Sequence, residues 1–133
     1  MENTTVMSDL PLVLVVDDND RNRKLACDVL AAAAFRTLEA ATAGQGIALA
    51  SEHVPDVVLM DLRLPDLAGS EAARILRADP RTSRIPIVAV TALRLDADDA
   101  WLFDAGFAGY IVKPIDIDEF PNVVRRFCTR GSR

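Results

Sequence analysis

Four short apolar runs in this chain each end in a polar group. Leu12-Val13-Leu14-Val15-Val16 closes on the acidic pair Asp17-Asp18, and Val57-Val58-Leu59-Met60 closes on Asp61. Ile87-Val88-Ala89-Val90 stops at Thr91, and Tyr110-Ile111-Val112 stops at Lys113-Pro114. Runs this short and this apolar fit strands buried on both faces. Parallel strands would bring three carboxylates, a hydroxyl and an amine to one edge of one sheet. That is the edge where open α/β sheets place their sites.

Between the runs the pattern turns helical. Asn19 or Asp20 can cap a helix to about Ala34, with Leu25, Val29 and Leu30 at helical spacing. Phe35 to Glu39 reads as a further strand, and Thr42 precedes a helix with Ile47, Ala48 and Leu49 inward. Pro65 to Gly69 is a loop, after which Ser70 caps a helix holding Ala73, Ile75 and Leu76 until Asp79-Pro80 stops it. Asp96 starts a helix that ends near Gly106, Gly109 to Val112 is the fifth strand, and Asp116 to Thr129 is the last helix. That helix carries Ile117, Phe120, Val123, Val124 and Phe127 as its apolar set. A β-α alternation repeated five times predicts an α/β fold, a doubly wound five-stranded parallel sheet in a single domain. The 133 residues divide into a flexible tail over 1–9, the domain over 10–130, and a short tail over 131–133.

Composition excludes several functions. The net charge of −5 argues against direct nucleic-acid binding, which needs a basic face. No apolar stretch approaches the roughly 20 residues of a membrane helix, so no membrane insertion is expected. Met1 to Asp9 is polar and acidic, unlike a signal peptide. Cys27 and Cys128 show no metal-binding spacing and read as reduced core residues, so the expected location is cytoplasmic. His53 is the single histidine, expected on the surface, and is no metal site.

Asp17, Asp18 and Asp61 at one edge would repel one another, and a hard divalent cation resolves this. Mg²⁺ prefers oxygen, keeps several waters, and uses one or two carboxylates plus a phosphate oxygen. Asp61 could then attack phosphorus and form an aspartyl phosphate, with Lys113 neutralising charge on the transferring group and Thr91 donating its hydroxyl. Each residue also has a plainer reading: Asp17 and Asp18 as a helix cap and a surface charge, Thr91 as a strand-end cap, Lys113 as a snorkelling surface lysine. Their matching positions at strand ends favour the functional one.

Asp17-Asp18, Asp61 with Pro65 behind it, Thr91-Ala92 and Tyr110-Ile111-Val112-Lys113-Pro114 together resemble the receiver domain of two-component response regulators. The stretches Asp17-Asp18-Asn19-Asp20-Arg21-Asn22 and Lys113-Pro114-Ile115-Asp116 look most like stand-alone DivK-type regulators and the receivers of hybrid kinases. The resemblance covers about residues 10 to 130. It implies a flavodoxin-like (βα)5 fold and phosphotransfer from a kinase phosphohistidine to Asp61. Asp18, Asp61 and the backbone carbonyl of Arg63 would ligate Mg²⁺ or Mn²⁺, with Asp17 acting through a metal-bound water. Lys113, Thr91 and the N–H groups of Leu62 and Ala92 would hold the phosphoryl oxygens. The Lys113-Pro114 bond is often cis in such domains. Arg63 and Leu93, two residues after Asp61 and Thr91, vary in the family and tune phosphate loss; here they predict slow self-dephosphorylation. Ala68 replaces the Asp often found before the loop glycine, with little effect expected.

By the same resemblance, Thr91 would shift toward the phosphoryl group and Tyr110 would rotate inward, a population shift between two states. In the helix after Asp96, Ala97, Ala100, Trp101 and Ala105 share a face at about 100° per residue. Phe103 lies about 200° from Trp101, so the two cannot both face the core. Phe103 either packs against a flanking element or is an exposed anchor. Leu95, Asp99, Phe103 and Tyr110 form the expected output patch on the face of helix 4, strand 5 and helix 5.

The leading expectation is thus a phosphorylation-switched single-domain regulator, monomer or weak dimer. Its partners are a histidine kinase or histidine phosphotransfer protein and a downstream protein effector. It is not itself an enzyme, since nothing resembles an ATP-binding kinase domain. Beginning at Met1 and ending soon after the last helix favours an independent chain without a DNA-binding module. The alternatives are a phosphorylation-independent adaptor and a receiver fragment of a hybrid histidine kinase. A phosphatase or phosphomutase is disfavoured by Arg63 where those enzymes carry a second acid, and a flavin or P-loop site by the missing phosphate loop.

Overall fold

Each apolar run becomes a strand, and each strand feeds a helix. In the computed structural model, which describes residues 10–92 and 100–128, the order is β1 (Leu12–Val16), α1 (Asp20–Ala32), β2 (Arg36–Ala40), α2 (Ala43–His53), β3 (Val57–Asp61), α3 (Gly69–Ala78), β4 (Ile87–Thr91), α4 (Ala100–Ala105), β5 (Gly109–Val112) and α5 (Phe120–Phe127). The five strands form one parallel sheet in the order β2-β1-β3-β4-β5. The chain winds outward from β1 to β2, then crosses back to β3. The direction of winding therefore reverses between β1 and β3, where this strand order leaves a crevice at the carboxyl ends.

Strand alternation sorts the core into two layers. Leu14, Val16, Val58, Met60, Ile87 and Ala89 pack with Ala43 and Ala50 of α2, Ala72, Ala73 and Leu76 of α3, and Leu102 and Ala105 of α4. Val13, Val15, Val57, Leu59, Val88 and Val90 turn the other way onto Ala26, Cys27 and Leu30 of α1 and Phe120 and Val124 of α5. Both cysteines are free and buried in this second layer, where burial pushes each thiol up to about 11. They are the inert core residues the sequence suggested. Among the described residues no helix is long and apolar enough to cross a membrane.

Several boundaries and faces differ from expectation. Strand β2 starts at Arg36, and Phe35 drops instead into the layer beneath α1 and α5. In α2 Ile47 and Leu49 pack partly buried on the core as expected, but Ala48 is exposed and the fully buried positions are Ala43, Gly46 and Ala50, with Gly46 so close to Val16 that a Cβ would clash. Helix α3 begins at Gly69 with Ala68 as its cap residue, so Ser70 lies in the first turn, and Ile75 is 40% exposed. The segment after Lys113 is a turn before it is a helix: the Asp116 carboxylate accepts from the N–H of Asp118 at 3.0 Å, and α5 starts only at Phe120. Ile117 is therefore exposed. Leu93, Leu95, Asp96, Ala97 and Asp99 lie outside the described residues, as do the two tails.

Val54 ends α2 in the left-handed region at φ 47° and ψ 67°, its side chain largely exposed. A β-branched residue is strained there. Val54→Gly is expected to stabilise the fold by about 1 kcal/mol and to raise Tm, while Val54→Ala, which keeps a Cβ, gives little of this. A Tm unchanged or lowered by the glycine in a thermal melt would remove the strain argument.

Candidate functional site

Sheet register brings the strand ends level. Val16 pairs with Met60, Asp61 with Val90 and Thr91 with Val112. Asp17 and Lys113 each continue their strand by one more bond, donating N–H to the carbonyls of Ala40 at 3.0 Å and Thr91 at 2.8 Å. Asp17, Asp61, Thr91 and Lys113 thus collect at the carboxyl edge, on either side of the crevice between β1 and β3 and across to β5.

Each buried carboxylate folds its own loop. Oδ1 of Asp17 accepts from the N–H of Asn19, and Oδ1 of Asp61 from the N–H of Arg63, both at 2.9 Å. These are Asx turns, which reverse the chain within two residues and aim the second oxygen outward. That second oxygen meets Lys113 in both cases: Nζ stands 3.0 Å from Oδ2 of Asp17 and 3.0 Å from Oδ2 of Asp61. Burial works against the charged form of Lys113. The hydrogen bonds to Asp17 and Asp61 and the pull of both charges outweigh it, holding the ammonium above the usual lysine value. Lys113 is no snorkelling surface lysine.

Asp18 is exposed beside this pair, and carboxylate oxygens of Asp17, Asp18 and Asp61 all lie within 4.8 Å of one another. An all-oxygen, all-acidic donor set suits a hard divalent cation such as Mg²⁺. A cavity of about 280 Å³ opens over the cluster, lined by Asp18, Asn19, Asn22, Asp61, Arg63, Thr91, Ala92 and Lys113. It has room for a phosphoryl group and bound water. Thr91 is 2% exposed. Leu62 is half-buried against the layer of α2, α3 and α4, and its carbonyl accepts from Gly69. The Lys113-Pro114 bond is cis.

Of the expected switch residues, Tyr110 is half-buried and pairs with Ala89, so alternation puts it on the same sheet face as Thr91. Phe103 is 55% exposed and does not pack away against a flanking element. Trp101 is itself 44% exposed, so neither aromatic faces the core; Leu102 and Ala105 bury instead. Leu95 and Asp99 lie outside the described residues.

Three positioning residues gave no clear sequence signal. Arg23 of α1 donates to the Asp17 carbonyl at 2.8 Å and also to Asp20 and Glu39, bracing the β1–α1 loop against β2. Asp66 accepts from Gly44 and Ala43, each at 2.9 Å, tying the β3–α3 loop to the start of α2; these two N–H groups hold its carboxyl below the usual range. At Gly69 a Cβ would meet the Asp61 carbonyl oxygen at 2.5 Å and Leu62 Cα at 2.9 Å, so only glycine lets α3 start this close to Asp61.

The ammonium of Lys113 and a divalent cation draw on the same carboxylates. Lys113→Met is expected to cost on the order of 2 kcal/mol without metal, because Asp17 and Asp61 lose their shared partner. Added Mg²⁺ is expected to raise the Tm of this variant more than that of the wild type. Equal Mg²⁺-induced shifts in both proteins would show that lysine and metal do not compete.

Known proteins fit this arrangement. A family model described as the response regulator receiver domain matches residues 13–125. The polar-differentiation response regulator DivK of Brucella ovis is 34% identical over 115 residues, covering 86% of this chain and 94% of that protein. Among solved structures, the chemotaxis response regulator CheY4 of Vibrio cholerae superposes with a TM-score of 0.83 at 24% identity, covering 89% of this chain and 98% of that one, a likeness of fold. The receiver domain of the sensor histidine kinase PA1611 from Pseudomonas aeruginosa, with a magnesium ion coordinated in its active-site cleft, gives a TM-score of 0.80 at 32% identity over 89% of this chain and 97% of that one. With its five-stranded parallel sheet, its strand order and its acidic carboxyl edge, the chain belongs to the response regulator receiver family.

Proposed function

We propose that Asp61 accepts a phosphoryl group from a phosphohistidine of a kinase or phosphotransfer protein, and that this changes the affinity of the chain for an effector protein. The observation that carries the reading is Asp61 itself. Its carboxylate ends the central strand, borders a cavity of phosphoryl size, and has an ammonium 3.0 Å away with two further carboxylates beside it. In the transfer an Oδ of Asp61 forms the new P–O bond. The P–N bond of the donor breaks, and its electron pair returns to the ring nitrogen. Lys113 neutralises phosphoryl oxygens, Thr91 donates its hydroxyl, and the N–H groups of Leu62 and Ala92 complete the cradle. Asp18, Asp61 and the Arg63 carbonyl would hold Mg²⁺ or Mn²⁺, with Asp17 acting through a bound water; the ion would supply positive charge against the incoming phosphoryl oxygens. The magnesium in the cleft of the PA1611 receiver domain supports this assignment.

Readout follows from the same edge. Thr91 drawn toward the phosphoryl group would leave room on its sheet face, and Tyr110 on the neighbouring strand would turn inward. The exposed aromatic ring of Phe103 on α4 supplies an anchor for a protein partner. Phe103→Ala is expected to weaken effector binding at least tenfold without altering phosphorylation. Unchanged partner affinity in a folded variant would remove the α4 patch from the reading.

The central test uses Mg²⁺, acetyl phosphate and intact mass. The expected result is a gain of one phosphoryl group, lost in Asp61→Asn. The positively charged Arg63, on the rim of the cavity, favours slow loss of the phosphate. No gain despite bound Mg²⁺ would favour a phosphorylation-independent adaptor.

A further inference from the structure

A second cavity of about 330 Å³ adjoins the first, lined by Asn22, Leu25, Ala92, Lys113, Pro114 and Ile115. Asn22, Ala92 and Lys113 border both cavities. A flat group seated in the second therefore has its edge at the acceptor site. Most of its wall is apolar: Leu25 of α1, 40% exposed, with Pro114 and Ile115 of the β5–α5 turn. Asn22 is its one uncharged polar side chain. The Asn22 backbone is fixed, because its N–H donates to Asn19 Oδ1 at 3.0 Å within the cap of α1. Its half-buried carboxamide makes no hydrogen bond among the described residues.

We infer that this cavity seats the leaving group of an N-phosphoryl donor, a flat imidazole ring, and that the Asn22 carboxamide oxygen accepts a hydrogen bond from the ring nitrogen that does not carry phosphorus. The inference rests on Asp61 as acceptor and specifies how the donor is recognised. Transfer breaks the P–N bond, returns its pair to that nitrogen, and forms the P–O bond to Asp61. The ring departs as neutral imidazole only if its second nitrogen already bears a proton. An amide oxygen at that nitrogen favours the protonated ring, so no proton moves during the step. An acyl leaving group carries no N–H and gains nothing from Asn22. The apolar wall of Leu25, Pro114 and Ile115 likewise suits the flat faces of a ring.

The experiment compares phosphoimidazole with acetyl phosphate, each with Mg²⁺, reading the initial rate of phosphorylation of Asp61 by intact mass. In Asn22→Leu the ratio of the phosphoimidazole rate to the acetyl phosphate rate is expected to fall about tenfold, the worth of one hydrogen bond to a charged ring. In Asn22→Asp, whose carboxylate accepts the same N–H, the ratio is expected to hold or rise. Because the readout is a ratio within one protein, partial unfolding of either variant cancels. An unchanged ratio in Asn22→Leu, or a fall in Asn22→Asp equal to that in Asn22→Leu, overturns the inference while leaving Asp61 as acceptor. Phosphorylation of the wild type by neither donor overturns both.

Discussion

One ammonium near the end of the chain joins two buried carboxylates, one near its start and one at its middle. Lys113 lies 96 residues from Asp17 and 52 from Asp61, yet stands 3.0 Å from each. Charges so little exposed are costly unless paired. The pairing therefore demands that β1, β3 and β5 end level, which only a parallel sheet in correct register allows. A one-residue slip of β5 would send Lys113 to the other face and leave the carboxylates facing each other. The ion pair and the sheet register are thus one constraint, and the apolar layers on either side are the means of meeting it.

Those layers also explain why the loops at the carboxyl edge stay put. Loops that carry chemistry need a rigid base and local hydrogen bonds. The base is strands β1, β3 and β4, whose core positions are almost wholly buried. The local bonds are the Asx turns at Asp17 and Asp61, the Arg23 brace and the Asp66 tie. Arg77 plays a similar part at the far end. It donates to the carbonyls of Gly106, Ser83 and Ile85 at 2.7 to 2.9 Å, pinning the end of α4 to α3 and to the start of β4. With Gly106 at φ 107° closing α4, that end of the helix is fixed.

Much of this was legible in the sequence because strands buried on both faces leave an unbroken apolar run. Where such a run stops at a polar residue, the strand stops too. Asp17, Asp61 and Thr91 were readable for that reason, while Lys113 closes the short apolar run of a half-exposed edge strand. Helices were less so. Trp101 and Ile75 are large and apolar, yet the layer beneath α3 and α4 takes Leu102, Ala105 and Leu76 instead, and Ile117 is exposed because its segment is still a turn. Short helices such as α4 have too few turns for spacing to fix a face. Asp66 and Arg23 were hidden for another reason. Their partners are Gly44 and Glu39, brought near by the crossovers, and no period in the chain marks such pairs. Gly69 was visible as a loop glycine; its closeness to the Asp61 carbonyl was not.

On the proposed reading, the charge balance at the edge accounts for a lysine and a divalent cation acting together. Asp17, Asp18 and Asp61 against Lys113 and the rim residue Arg63 leave one net negative charge around one small cavity. A phosphoryl group, itself anionic, would be repelled from such a place. A divalent cation removes the excess, and Lys113 then has charge to spare for phosphoryl oxygens. On that reading neither cation would suffice alone: lysine without metal would leave the cavity negative, and metal without lysine would leave no mobile cation to follow a phosphoryl group onto Asp61. Its four-carbon stem lets the ammonium move while its backbone stays bonded to Thr91. The Lys113 N–H bonded to the Thr91 carbonyl at 2.8 Å keeps the lysine and the threonine side by side at the ends of β5 and β4.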